Sequence, residues 1–177
     1  GIGAYSGRVR VEMSEMHMLI DSNVVNGVAI GSPSGSLELR NVNTFTEIRG
    51  GGKSITGIGS ATKGDNRIEI ITAKILLEMS APRVIMMGCP MGESRFYIER
   101  TKVDLIGSGG RILGIGTADG NGKIILKSVG FDISISSDEP LAIGAREEDC
   151  DFGASEPNIE IINYSMGNTD ERKPAEE

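Results

Sequence analysis

The sequence has no tryptophan, one histidine and only 4% aromatic residues among its 177, so any interior it builds must come from Ile, Leu, Val and Met. Such side chains suit thin, stacked cores better than a thick globular one. The single histidine, His17, rules out a His-based metal cluster, and a Ser-His-Asp triad would have to use this one residue. It alternates outward between Met16 and Met18 and reads as solvated surface. Basic residues are in deficit, 18 Lys and Arg against 25 Asp and Glu, for a formal net charge of −7. That balance argues against a nucleic-acid partner, whose phosphates are held by clustered cations. No apolar run reaches the ~18 residues of a membrane-spanning helix, so no membrane partner is expected. There are two cysteines, Cys89 and Cys150. They fall about two structural repeats apart, too distant for a bridge, and two free thiols lean towards a reducing compartment.

Glycine, by contrast, is abundant, with 25 copies, and it is ordered. A phrase typified by Leu113-Gly114-Ile115-Gly116-Thr117 returns with its second glycine at Gly3, Gly31, Gly59, Gly88, Gly116 and Gly144, in equal steps except for the third, which is longer by a single residue. A second series, Gly7, Gly35, Gly64, Gly92 and Gly120, keeps phase with the first. Two glycine series in register at a fixed period of this length are the signature of a solenoid.

Within each period the residues alternate between polar and apolar. Arg8-Val9-Arg10-Val11-Glu12 is followed by Met16, Met18 and Ile20, and the pattern recurs at Ser36 to Arg40, Arg67 to Ile71, Arg95 to Glu99 and Lys123 to Lys127. Each such stretch reads as a half-buried strand. Three strand-like stretches in each repeat predict an all-β chain, a right-handed parallel β-helix of five to six rungs. Ile2, Ile30, Ile58, Met87, Ile115 and Ile143 would stack as one inward column, and Val9, Leu37, Ile68, Phe96, Ile124 and Ile159 as another. Residues 1–166 are expected to form this domain. Ala145 to Pro157, longer and more acidic than the other turns, reads as a capping excursion, and residues 167–177 as a disordered acidic tail. The chain opens on Gly1-Ile2-Gly3, in mid-phrase, and reads as an excised piece; the first rung would offer an unpaired edge, open to self-association through Gly1 to Ile20.

Candidates for chemistry are few. Gly114-Ile115-Gly116 with Gly120 superficially matches a dinucleotide loop, but a strand follows it where the fingerprint needs a helix. Gly52-Lys53-Ser54 lacks the earlier glycine of a phosphate loop. No cofactor and no metal are therefore expected. Asp65, Glu93 and Asp119 occupy turn tips, where Ca²⁺ is conceivable but ordinary solvated turns explain them as well. The outward strand positions predict columns: Arg8, Ser36, Arg67, Arg95, Lys123; then Arg10, Glu38, Glu69, Tyr97, Ile125; then Glu12, Arg40, Ile71, Glu99, Lys127. Cross-strand charge pairing accounts for much of this. The functional alternative is a ligand-binding face made by Arg67, Arg95 and Lys123 beside Glu38, Glu69 and Tyr97, suited to an extended glycan.

The phrases Gly1-Ile2-Gly3-Ala4, Ala29-Ile30-Gly31-Ser32, Gly57-Ile58-Gly59-Ser60, Gly114-Ile115-Gly116-Thr117 and Ala142-Ile143-Gly144-Ala145 resemble the Gly-Ile-Gly repeats of bacterial β-helical surface and adhesin-like proteins. Met86-Met87-Gly88-Cys89 departs from that pattern. The resemblance implies a parallel β-helix at the cell surface or secreted, in contact with carbohydrate; the thiols leave a cytoplasmic location open. The expected function is a non-enzymatic module for binding, adhesion or assembly, with a polysaccharide or protein partner. The alternatives are a sensory or scaffolding domain of a larger intracellular protein and, less favoured because the short turns build no cleft, a polysaccharide lyase or hydrolase.

Overall fold

A computed structural model describes residues 1–118, 121–144, 150–151 and 157–162. The chain begins with β1 (Ile2–Gly3), β2 (Ser6–Ser14) and β3 (His17–Ser32), followed by β4 (Ser34–Val42) and β5 (Phe45–Ser60). The third turn has β6 (Asn66–Ile71) and then β7 (Lys74–Ser80) and β8 (Arg83–Cys89). After it come β9 (Glu93–Glu99), β10 (Lys102–Thr117), β11 (Asn121–Lys127), β12 (Gly130–Gly144), β13 (Cys150–Asp151) and β14 (Pro157–Ile162). One sheet runs β2, β4, β6, β9, β11, β13; the other runs β1, β3, β5, β7, β10, β12, β14, with β8 also paired to β5 and β10. All the paired strands are parallel, and the whole is a β-solenoid of about five turns.

Two of the three expected stretches per turn run on as a single bent strand in β3, β5, β10 and β12. The third turn alone is broken, at Pro82, whose missing N–H cannot donate to the ladder. The breach is local. Ala81 N–H still donates to Ser108 O at 3.1 Å, and Pro82 O accepts from Arg111 N–H at 2.9 Å.

The inward column at the repeated phrase forms in the register its spacing predicts, but its first member, Ile2 in the terminal rung, is exposed and Ile143 is half-buried. Ile2 pairs with Ile30, Ile30 with Ile58, Ile58 with Met87, Met87 with Ile115 and Ile115 with Ile143, and Ile30, Ile58, Met87 and Ile115 are each 0% exposed. Burying one such side chain is worth about 1.5–3 kcal/mol, so this single file contributes substantially to holding the rungs together. The glycine that follows each of these residues is imposed by its neighbour. A Cβ on Gly31, Gly59 or Gly116 would lie 2.0 Å from the carbonyl oxygen of the corresponding glycine one rung on, and on Gly88 at 1.8 Å. Their φ values, from 127° to 135°, add a second reason for glycine.

The second predicted column needs correction. Val9 pairs with Leu37, but Leu39, not Leu37, pairs with Ile68, which continues to Phe96 and Ile124. An extra residue is taken up between Ser60 and Asn66, so the step from β4 to β6 is longer by one than the step from β2 to β4. The place beside Leu37 goes to Asn66, which is buried and accepts from Leu37 N–H at 3.2 Å and from Ser60 Oγ at 3.0 Å. Alternation misleads there because a polar residue sits where an apolar one is expected, with its lone pairs satisfied. Ile159 also moves. It pairs with Ile133 in the second sheet, while Cys150 takes the place over Ile124. By either pairing the last turn is shorter than the turns before it. Met16, expected inward, is exposed. The remainder of the predicted capping excursion, residues 145–149 and 152–156, and the predicted tail lie outside the described residues.

Candidate functional site

The outward face of the first sheet collects the predicted residues. With the corrected register, one column reads Arg10, Glu38, Arg67, Arg95, Lys123, and the next Glu12, Arg40, Glu69, Tyr97, Ile125. Arg8 and Ser36 lie in a separate column, and Ile71, Glu99 and Lys127 follow Ser14 and Val42. The two-residue offset leaves the proposed set together. Arg67, Arg95 and Lys123 are stacked and exposed, Glu38 continues their column, and Glu69 and Tyr97 are paired side by side in the column beside it. A shallow depression of about 550 Å³ is lined by Arg67, Glu69, Arg95, Tyr97 and Lys123. Glu38 belongs to a smaller hollow next to it, shared with Arg67 and Glu69.

The charges on this face are unevenly matched. Arg8 pairs with Glu38 at 3.6 Å, Arg40 with Glu69 at 3.8 Å, and Arg10 with Glu12 at 2.6 Å. Arg95 Nε donates to Glu93 Oε1 at 2.5 Å, and this bond raises the Arg95 pKa. Arg67 forms no ion pair with another described residue, although it stands between Glu38 and Arg95 in its column. Three cations stacked at the ~4.8 Å strand spacing repel one another, and among the described residues Glu93 is the one ion-pair partner of the three, held by the middle cation, Arg95. An anion lying along the column would relieve the remainder.

Tyr97 is held in place by two residues that sequence reasoning assigns to another column and not to the site. Its hydroxyl donates to Glu99 Oε2 at 2.5 Å, and Lys127 Nζ lies 5.2 Å from the ring centroid. The Glu99 hydrogen bond, then partial burial and the Glu99 charge, raise the Tyr97 pKa; Lys127 opposes them. The sequence does carry the signal. Glu99 and Lys127 lie two places beyond Tyr97 and Ile125 and one repeat apart, so strand alternation puts them on the same face.

The other candidates resolve as structural. Asp65 Oδ1 accepts from Glu93 N–H, and Asp65 N–H donates to Ser36 Oγ, both at 3.2 Å, so these turn tips link one rung to the next. Asp119 lies outside the described residues. Among those described, no group of three His, Cys, Asp or Glu residues is placed to hold a metal ion. His17 is exposed and stacks on Phe45 with ring centroids 4.4 Å apart. Cys89 is a free, buried thiol, 3.3 Å from Gly64 O and 3.2 Å from Ser94 Oγ. No helix is long and apolar enough to cross a membrane, among the described residues.

These features define a parallel β-solenoid with a flat, charged face. In comparison with known proteins, no family model, no curated protein and no solved structure matches the chain.

Proposed function

We propose that the protein is a non-enzymatic binding module whose first-sheet face holds an extended acidic glycan. The observation that carries this reading is Arg67, exposed and without an ionic partner among the described residues, in one file with Arg95 and Lys123. Guanidinium groups bind carboxylates in a bidentate fashion, and a repeating polymer can meet them rung by rung. Tyr97, fixed by Glu99 and Lys127, adds an aromatic ring in the column beside that file. The shallowness of the face favours binding over catalysis, since glycoside cleavage needs two carboxylates converging on one bond.

The test is retention on a uronate-containing polymer. Wild type should be retained, and replacing Arg67, Arg95 and Lys123 together by Gln should abolish retention while leaving the melting temperature unchanged. Unaltered retention of the triple variant would move the site to another face. Failure of wild type to bind any acidic polysaccharide would favour the alternative, a scaffolding or sensory domain of a larger protein.

A further inference from the structure

A second concavity lies on the other sheet, at the corner where its long strands bend. It has a volume of about 520 Å³ and runs along the solenoid axis across five rungs. One wall is a column in register: Asn23, Gly51, Ser80, Ser108, Ser136. Asn23, Ser80 and Ser108 are exposed, and Ser136 is half-buried. Glycine at the second place is explained by its neighbour, because a Cβ on Gly51 would come within 2.6 Å of Asn23 Oδ1. The Asn23 amide therefore reaches over the position that Gly51 leaves bare. The wall presents hydroxyl and amide groups over four strand intervals, about 19 Å at the ~4.8 Å spacing. Among the described residues, one hydrogen bond joins these side chains, Ser108 Oγ to Ser80 Oγ at 2.9 Å. Each hydroxyl can donate once and accept twice, so most of this capacity faces the groove.

The opposite wall, Asp21, Arg49, Glu78, Ile106 and Ser134, restricts what can enter. Arg49 is committed on two sides, to Glu47 at 2.5 Å and to Glu78 at 3.5 Å, and Asp21 adds another carboxylate to the lining. Among the lining residues no cation is left over for an anionic polymer. Ile106, 46% exposed, supplies an apolar surface facing the serines. A lining of regularly spaced hydroxyls on one side and an exposed aliphatic side chain on the other matches a sugar ring, with its hydroxyl rim and C–H face.

We propose that this groove is a second binding site, for an extended neutral polysaccharide laid parallel to the solenoid axis. It does not depend on the acidic-glycan reading of the first sheet. The side chains to be replaced are exposed or half-buried and lie outside the hydrophobic core, so the site can be dismantled without repacking it. The probes are soluble hydroxyethylcellulose, galactomannan and chitin oligosaccharides, tested by affinity electrophoresis and titration. Wild type should bind at least one of them. The Ser80→Ala/Ser108→Ala/Ser136→Ala variant should lose at least tenfold in affinity, and Ile106→Gln should weaken binding independently. Both should melt with wild type, and the variant lacking Arg67, Arg95 and Lys123 should bind the neutral polymer normally. Binding to none of the probes by wild type overturns the proposal, as does undiminished binding by both groove variants. Loss of neutral binding in the Arg67/Arg95/Lys123 variant would also overturn it, by assigning both ligands to the charged face.

Discussion

Two corners of the solenoid solve the same problem in opposite ways. At one, the chain turns through Gly31, Gly59, Gly88 and Gly116, all at positive φ. At the other, between the end of a first-sheet strand and the start of the next bent strand, it turns through Glu15, Asn43, Thr72, Arg100 and Ser128, also at positive φ, from 48° to 56°. These five residues share a position but no chemistry. The N–H groups of four of them keep the ladder intact: Glu15 donates to Val42 O, Asn43 to Ile71 O, Thr72 to Glu99 O and Arg100 to Lys127 O. All five are exposed. The difference is where the Cβ goes. At the glycine corner it would enter the carbonyl of the next rung, whereas at the other corner the side chain leaves towards solvent and the cost is only that of a left-handed backbone, about 1–2 kcal/mol per residue. Periodicity in a solenoid is therefore written in residue type only where neighbouring rungs interpenetrate.

The largest effect should come from filling the glycine corner. In Gly88→Val the new Cβ would meet Gly116 O at 1.8 Å, and relieving that contact means separating two rungs. We expect no cooperative melt near the wild-type temperature, and the same of Gly116→Val, whereas Arg100→Val at the other corner should fold. A stable, cooperatively melting Gly88→Val protein would show that the two corners do not differ as described.

Next in size is the packing that the glycine corner serves. Ile115 is fully buried between Met87 and Ile143, so Ile115→Ala should cost about 2–5 kcal/mol through lost burial and a residual cavity. Chemical denaturation with an unchanged slope would read this directly. A loss below about 1 kcal/mol would mean that the rungs can close over the gap, and that the corner is held by its backbone alone.

The contrast between the corners also accounts for what can be read in the sequence. The glycine column is legible because the constraint is steric and admits one residue type. The left-handed column is just as evenly spaced, with a single longer step between Asn43 and Thr72, yet it is invisible because any exposed side chain satisfies it. Arg67, Arg95 and Lys123 are legible as a column since they share charge and step. Their true neighbours are not, because Asn66 occupies a core place that strand alternation assigns to an apolar residue, and only its bonds to Leu37 N–H and Ser60 Oγ explain it. Ile159 is misplaced by pattern for the converse reason: its Ile-x-Ile setting fits either sheet, and the shortened last turn decides between them. The serine column of the second groove recurs once per turn at Ser80, Ser108 and Ser136, but it begins at an asparagine and is interrupted by Gly51, so it does not stand out from ordinary turn composition.

A smaller and opposite effect is expected at Thr72. A β-branched residue is poorly suited to left-handed backbone, and Thr72 has φ 52°. Thr72→Gly removes that strain at the cost of a more flexible unfolded chain, about 0.5–1 kcal/mol. The net result should be a stabilisation of up to about 1 kcal/mol, seen as a higher melting temperature with the same far-UV spectrum. Destabilisation would show that the Thr72 side chain contributes contacts that outweigh its backbone.

The smallest effect should be at Asn43, and it calibrates the rest. Asn43 occupies the same corner at φ 56°, with its N–H bonded to Ile71 O at 3.0 Å and its side chain exposed. Asparagine tolerates left-handed backbone better than other non-glycine residues because its short polar side chain can bond locally. Asn43→Gly should therefore gain little from relieved strain and lose a similar amount to chain entropy, leaving stability within about 0.5 kcal/mol of wild type. If the corner is governed by backbone preference alone, the change on substitution by Gly must be more favourable at Thr72 than at Asn43. Measuring both in one background tests this without reference to any absolute scale. Equal changes at the two positions would mean that the neighbouring rungs, through the N–H ladder, impose the turn so firmly that residue preference no longer registers, and the distinction between the corners would then rest on the glycine contacts only.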